Sequence, residues 1–333
     1  MTPTASVIEG AAARLAAAVA PAGGLVSVVM PCFNAEAFVA QAVDSVLGQS
    51  YRNIELIVVD DGSTDGSVEI LRGYGSRLTL LQQPNQGPYP ARNRGVAASR
   101  GEFLAFLDAD DWWSPECVER LHEAISGSDA AVAYCGWQNI GLPGPRGEPH
   151  VPPDYEHDGK LARFLRAAAP WPIHAALLRR SVWDEVGGFD TTLPTVMDYD
   201  LWLRVGAFRP VVRVDRVMAF YRHHQRGQIT SQQWRQAENS WRVKRRFLAA
   251  HPEVAARLGA EKVRDLVDGG LLRRGYDAYW RRDLVSARRV FRMALRTGAW
   301  KAGDLKYLLP ALLPEPVYRR VLSFRDSGAD AGR

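Results

Sequence analysis

The stretch FLAFLDADDWWSP, residues 103–115, runs from five unbroken apolar residues, Phe103 to Leu107, straight into three carboxylates, Asp108, Asp110 and Asp111. A short continuous apolar run reads as a strand buried on both faces. Acid gathered at its carboxyl end is costly to place there without a reason. Upstream the same pattern repeats. LVSVVM (25–30) reads as a strand ended by Pro31, after which Asn34 can cap a helix whose Phe38, Ala42, Val43, Val46 and Leu47 share one face. IELIVV (54–59) is a second strand, followed by DDGSTDGS and a helix carrying Val68, Ile70 and Leu71. RLTLLQ (77–82) is a third, leading through the loop PNQGPYP to a helix from Ala91 to Ser99, and EFLAFL (102–107) is the fourth. Strands alternating with helices at this spacing imply an α/β fold with a parallel, doubly wound sheet.

Ligands of such sheets bind beyond the carboxyl ends of the strands. The polar punctuation falls there: Asn34 after the first strand, Asp60 and Asp61 after the second, Asn85 to Gly87 after the third, Asp108 and Asp110 after the fourth. Each alone also reads as a turn or a cap. Four strand ends converging on one rim point to a ligand.

The composition agrees with an enzyme-sized globular chain. At 333 residues, 47% hydrophobic and 24% charged, it can form one large domain and a smaller one. Cys32, Cys117 and Cys135 are too few and too scattered for a disulfide framework or a zinc site, so a reducing, cytoplasmic setting is the expectation. The alanine-rich segment 1–24 lacks the basic start of a signal peptide and reads as an N-terminal helical extension. No window approaches the length of apolar sequence that spans a membrane. Charge is uneven: from Trp241 onward 21 Lys and Arg face 10 Asp and Glu, a net of +11, which leaves −6 for residues 1–240. That asymmetry supports a division near residue 235, with 25–235 as one domain and 236–333 as a basic helical region.

The segments VSVVMPCFNAEAFVAQAVDSVLGQSYRNIELIVVDDGSTDGSVEIL, QPNQGPYPARNRG and GEFLAFLDADD, in this order and spacing, resemble family 2 glycosyltransferases, nucleotide-sugar-dependent enzymes with the GT-A fold. The resemblance covers roughly residues 25–225. It implies that Asp108-Ala109-Asp110 is the family's Asp-x-Asp, with Asp110 holding Mg²⁺ or Mn²⁺ and Asp108 assisting through the ribose or the metal shell. If the strand continues, the two side chains lie on one side. Asp111 reads as a cap for the turn into WWSPE. By the same resemblance Asp61 accepts from the nucleotide base beside a wall formed by Pro31 to Phe33, while Asn34, Asn85 and Arg92 belong to the nucleotide-sugar site.

GGFDTTLPTVMDYDLWLRVGAF (187–208) resembles the family's Glu-Asp-Tyr-Asp-Leu-Trp-Leu-Arg pattern, in which the position of Asp198 is the general base; Met197 stands where the family has glutamate. Asp200 reads as structural. VMAFYRHHQRGQIT (217–230) resembles the closing Tyr-Arg-x-His segment, which would bring His224 to the metal or diphosphate and Arg222 to the leaving group. The processive members' Gln-x-x-Arg-Trp order is missing at Gln232 to Arg235, which favours one sugar per encounter. The resemblance thus implies an inverting, non-processive, hexosyltransferase-type enzyme. Its donor would be a UDP-, GDP- or dTDP-sugar, and its acceptor a glycan, lipid-linked, protein or small-molecule hydroxyl in cell-surface glycan synthesis. No nucleic-acid partner is expected. Another nucleotide-sugar enzyme, such as a nucleotidyltransferase, and a catalytically silent scaffold are the alternatives.

Residues 270–298 faintly resemble one tetratricopeptide helix pair, with Gly275, Tyr279, Ala287, Phe291 and Ala294 near the expected positions. The arginines of this region read first as the solvated outer face of a helical cap. The alternative is weak peripheral attraction to an anionic membrane, aided by YLLPALLPEPVYRRVL (307–322).

Overall fold

The computed structural model describes residues 22–157, 159–167, 169–223 and 232–330. Contacts divide the chain into two units, the first made of residues up to 158 and 170–224, the second of 159–169 and 225–333. The charge pattern placed the division about ten residues later and did not show that a short segment near residue 160 joins the second unit.

The first unit is built on one mixed sheet in the order β3-β2-β1-β4-β8-β6-β9-β5. Strands β1 (Ala22–Cys32), β2 (Ile54–Asp60), β3 (Thr79–Gln82) and β4 (Gly101–Phe106) are mutually parallel where they pair. From there the doubly wound expectation gives way. β5 (Trp112–Trp113), β6 (Val132–Ile140), β7 (Pro149–His150), β8 (Ala176–Arg179) and β9 (Val211–Arg222) join largely antiparallel: β8 to β4 and β6, β7 to β6, β5 to β9. Only β6 and β9 pair in parallel.

The inner strands of the parallel half are mostly apolar because both of their faces are covered; buried Ser27 interrupts β1 and donates to Glu55 at 2.7 Å, and the edge strand β3 stays partly exposed. Val26, Val28 and Met30 share a core with Val39, Val43 and Val46 of helix α1 (Val39–Leu47) and with Leu71 of the short helix α2 (Ser67–Arg72). On the opposite face Ile57 and Val59 pack with Ala91 of α3 (Pro88–Ala97). Leu121 and Ile125 of α4 (Cys117–Ser126) complete the first face. Three expectations are corrected here. The first strand runs through Pro31 to Cys32. Pro31 stops something else: Val29 accepts from the Leu107 N–H at 3.2 Å, the next donor in that ladder would be Pro31, and proline has none. β1 and β4 therefore part at the rim. Asn34 caps no helix; α1 begins after Phe38 without a side-chain cap. And α3 starts at Pro88 rather than Ala91, since proline in the first turn gives up an N–H that would have no partner there. Of the expected N-terminal extension, residues 22–24 are already strand and the rest lies outside the described residues.

α3 can lie close to the sheet because of Gly95. A Cβ there would press into the Val29 Cγ1 methyl and come within 3.2 Å of Val59 Cγ2. Gly95→Ala is expected to cost about 1–3 kcal/mol by overpacking, read as a lower urea midpoint at unchanged slope.

α5 (Lys160–Arg166) belongs to the second unit, while α6 (Arg180–Val186) and α7 (Met197–Gly206) complete the first. The second unit continues with α8 (Gln233–Ala250), α9 (Pro252–Leu258), α10 (Ala260–Arg264), α11 (Gly270–Trp280), α12 (Leu284–Thr297), the single turn α13 (Leu305–Leu308) and α14 (Glu315–Asp330). α11 and α12 form a hairpin whose core holds Leu271, Tyr279, Ala287, Phe291 and Ala294, and a Cβ at Gly275 would sit 2.6 Å from the Phe291 ring. Asp283 starts α12 by accepting the Ser286 N–H at 3.0 Å. The three cysteines are buried free thiols. Among the described residues no helix is long and apolar enough to cross a membrane.

Candidate active site

The carboxyl ends of β1, β2 and β3 are stitched together by their loops. Asn34, in the left-handed region that asparagine tolerates (φ 48°), accepts the Thr64 N–H at 2.8 Å and donates its own N–H to Ser63 Oγ at 3.0 Å. Asp61 is buried and accepts three hydrogen bonds: Gln83 Nε2 and the Gln86 N–H on one oxygen, the Gly87 N–H on the other. Its carboxylate fixes the loop carrying Asn85, and acceptor capacity remains for a further donor. Asn85 and Phe33 are exposed, and Pro31 is buried beside Asp60 and Asp61.

The acidic turn after β4 is not a continued strand. β4 ends at Phe106, and the Asp111 N–H closes onto Asp108 O at 3.0 Å. Asp108 pairs with Arg92, whose guanidinium is buried on α3 between Tyr89 and Phe189. Burial alone would loosen the Arg92 proton, yet the carboxylate of Asp108 and the phenol of Tyr89 outweigh it and hold the proton more tightly.

Asp198 lies in the first turn of α7 and accepts the Tyr199 N–H at 2.8 Å. Just before it Val196 takes a left-handed conformation (φ 62°), which a β-branched residue adopts only when its surroundings enforce it. Upstream, the Asn93 amide clamps Phe189 at both ends, donating to its O at 2.9 Å and accepting from its N–H at 3.1 Å. Burial pushes the Asp198 carboxyl upward, the Tyr199 N–H and Arg92 pull it back, and Asp108 adds to the rise. Arg92 is ion-paired with Asp108, and the charges of both are felt at Asp198. Asp200 pairs with Arg204 at 2.8 Å, and Arg204 also caps Val186 O and Gly188 O.

Asp111 is no exposed cap. It is buried under the turn, accepts the Arg222 N–H at 2.8 Å, and faces fully buried His174 with Oδ2 to Nδ1 at 3.2 Å but without hydrogen-bond geometry. Burial, then the charges of Asp110 and Asp108, push its carboxyl well up, while burial pushes the His174 imidazole down to about 4. Both groups are thereby driven toward their neutral forms. Arg222 ties β9 to the acidic turn: its guanidinium stacks on Trp112 and Phe38, donates to Asp110 O at 2.9 Å and to Gln41 Oε1 at 2.5 Å. Asp111→Ala removes the acceptor of a buried N–H, so a loss of about 2 kcal/mol in urea unfolding is expected. His224 lies outside the described residues. Asn93 belongs with Arg92 to the segment that resembles the family's, whereas Tyr89 and His174, which lie against Arg92 and Asp111, were not singled out by sequence: Tyr89 adjoins ARNRG, and nothing near DADD points to His174.

The description "Glycosyl transferase family 2" belongs to the family model that matches residues 27–186. An uncharacterised glycosyltransferase of Rickettsia typhi is 32% identical over 189 residues, 54% of this chain and 58% of that protein. One of Rickettsia felis is 30% identical over 206 residues, 60% of this chain and 34% of that protein. The chain thus covers between a third and three fifths of these relatives' own length. Among solved structures, Staphylococcus aureus TarS 1–349 in complex with UDP-GlcNAc aligns with a TM-score of 0.64 at 19% identity, covering 91% of this chain and 92% of that one. The mannosyltransferase PcManGT of Pyrobaculum calidifontis, in complex with GDP-Man and Mn²⁺, aligns at 0.55 and 20% identity, covering 96% and 90%. At such identities the structural likeness speaks for the fold, and the family match for the sequence. Residues 27–186, just under half of this chain, match the glycosyl transferase family 2 model, and the fold is that of these glycosyltransferase structures.

Proposed function

We propose that the chain moves a sugar from a nucleoside-diphosphate sugar to an acceptor hydroxyl by a single inverting displacement, one sugar per encounter. The observation that carries this reading is the buried Arg92–Asp108 ion pair within electrostatic reach of Asp198, which offers one carboxylate for the diphosphate end and another for the acceptor end. In the reaction the acceptor oxygen bonds to the sugar C1, its proton passes to the Asp198 carboxylate, and the C1–O bond to the nucleoside diphosphate breaks on the opposite face. Arg92 helps keep Asp198 ionised for that role. Asp61, Asn34, Asn85 and the Pro31–Phe33 wall would hold the nucleoside.

A divalent cation fits the residues present. Among the described residues no three His, Cys, Asp or Glu side chains converge into a protein-only cage. Asp108 and Asp110 nonetheless concentrate enough negative charge at the turn to push up the neighbouring Asp111. One or two carboxylates sharing a hard cation with substrate phosphates is the usual arrangement for Mg²⁺ or Mn²⁺. By the family resemblance Asp110 would be the principal ligand, with Asp108, held by Arg92, assisting. When bound, the cation would neutralise charge on the departing diphosphate.

The bound donors of the structural neighbours, UDP-GlcNAc and GDP-Man, make UDP- and GDP-hexoses the first to try, with dTDP-sugars beside them. Glycan, lipid-linked, protein and small-molecule hydroxyls form the acceptor panel, with cell-surface glycan synthesis as the setting. The test is the anomeric configuration of the product by proton NMR. Inversion relative to the donor is expected; retention would remove the direct displacement.

A further inference from the structure

The second unit carries an apolar surface that its own core leaves uncovered. Seven large apolar side chains are exposed among the described residues, and five belong to this unit: Trp280 (65% exposed), Leu309, Leu312, Leu313 and Val317. Four of these fall within nine residues of chain. The segment is held firmly from behind, since its alternate residues Leu308, Ala311, Tyr318 and Leu322 are buried anchors. The Leu312 N–H bonds Leu309 O at 3.0 Å, the Leu313 N–H bonds Pro310 O at 3.0 Å, and Arg288 Nε donates to Leu313 O at 2.7 Å. Prolines 310, 314 and 316 narrow the backbone further. Trp280 stands near Tyr307, 6.3 Å between ring centroids, with Lys306 over the same tyrosine ring at 5.2 Å. A solvated helical cap gives no reason to present this knuckle.

We propose that this knuckle is a docking surface for an anionic lipid bilayer. The choice of occupant rests on charge. Exposed Arg281, Arg282, Lys306, Arg319 and Arg320 lie close to the apolar residues in the chain, and Glu315 meets Arg319 at 2.9 Å. The region from Trp241 onward carries +11. Two copies meeting through such surfaces would repel each other, whereas an anionic membrane attracts each basic residue by roughly 1 kcal/mol. Aliphatic side chains entering the acyl boundary, with tryptophan and tyrosine beside them and cations at headgroup level, form the pattern of a protein that lies on a membrane. The inference is independent of the chemistry proposed for the first unit.

The experiment is co-sedimentation of the full chain with phosphatidylcholine vesicles, with and without phosphatidylglycerol, at physiological salt. Binding to the phosphatidylglycerol vesicles is expected, with little to phosphatidylcholine alone. The variant combining Leu309→Ser, Leu312→Ser and Leu313→Ser should bind at least about tenfold less, with an unchanged circular dichroism melt because these side chains are exposed. Arg319→Gln with Arg320→Gln should weaken binding and reduce its salt dependence. Failure to sediment with phosphatidylglycerol vesicles, or equal sedimentation of the triple-serine variant, would overturn the proposal. So would light scattering that shows a dimer dissociated by the serines.

Discussion

Asp198→Asn is expected to lower turnover by about 10²-fold or more while donor affinity stays close to that of the parent protein. Asparagine fills nearly the same volume and still offers an oxygen to the Tyr199 N–H, so the start of α7 is preserved. What it lacks is a basic oxygen for the acceptor's proton. The change should therefore appear in kcat, with KM for the donor and calorimetric donor binding little altered. Near-parental turnover would move the base elsewhere, and lost donor binding would assign Asp198 to the donor.

Arg92→Met is expected to act twice. Arg92 is buried against Asp108, and removing one partner of such a pair leaves a charge uncompensated. The cost should be about 2–3 kcal/mol, below the full buried-pair value because Asp108 keeps some solvent access. The second effect is on pH. Burial raises the Asp198 carboxyl and Arg92 opposes that rise. Asp198 must be ionised to accept a proton, so activity falls as pH drops through its folded-state pKa. Without Arg92 that pKa climbs, and the acid limb of the rate profile moves to higher pH. Arg92→Lys, which keeps the charge, should restore much of the limb's position. A variant that loses only stability, with the limb unmoved, would separate Arg92 from the base.

The parallel half of the sheet was readable because strands covered on both faces are predominantly apolar: Leu56 to Val59 and Phe103 to Phe106 without a break, and Val26 to Met30 with Ser27 as its one polar residue. Pro31 misled, since a proline stops a strand only where its missing N–H is needed, and that depends on which neighbour lies alongside. The antiparallel half was not foreseen; its pairings, such as Trp112 with Phe220, join residues far apart in the chain. The same distance hid the burial of Asp111, which comes from His174 and the Arg222 backbone. Arg92, Asp108 and Asp198 entered as a set through family resemblance, for neither spacing nor periodicity links α3 to α7; Asn93 and Phe189 make that link in space. In the second unit helical periodicity identified Ala287, Phe291 and Ala294 as an inner face. It could not tell that Leu309, Leu312 and Leu313 point outward, because a single turn offers no repeat to read.

The rim formed by Asp61, Arg92, Asp108 and Asp110 is proposed to take a nucleoside-diphosphate sugar and release the nucleoside diphosphate. Product analysis by anion-exchange chromatography after incubation with UDP-, GDP- and dTDP-sugars and Mn²⁺ tests this most directly. Metal-dependent release of UDP, GDP or dTDP from at least one donor is expected, stimulated by acceptor and nearly abolished in Asp110→Asn, which should keep its fold. Release of pyrophosphate from a nucleoside triphosphate and a sugar phosphate, or nucleoside diphosphate release unchanged in Asp110→Asn, would contradict it.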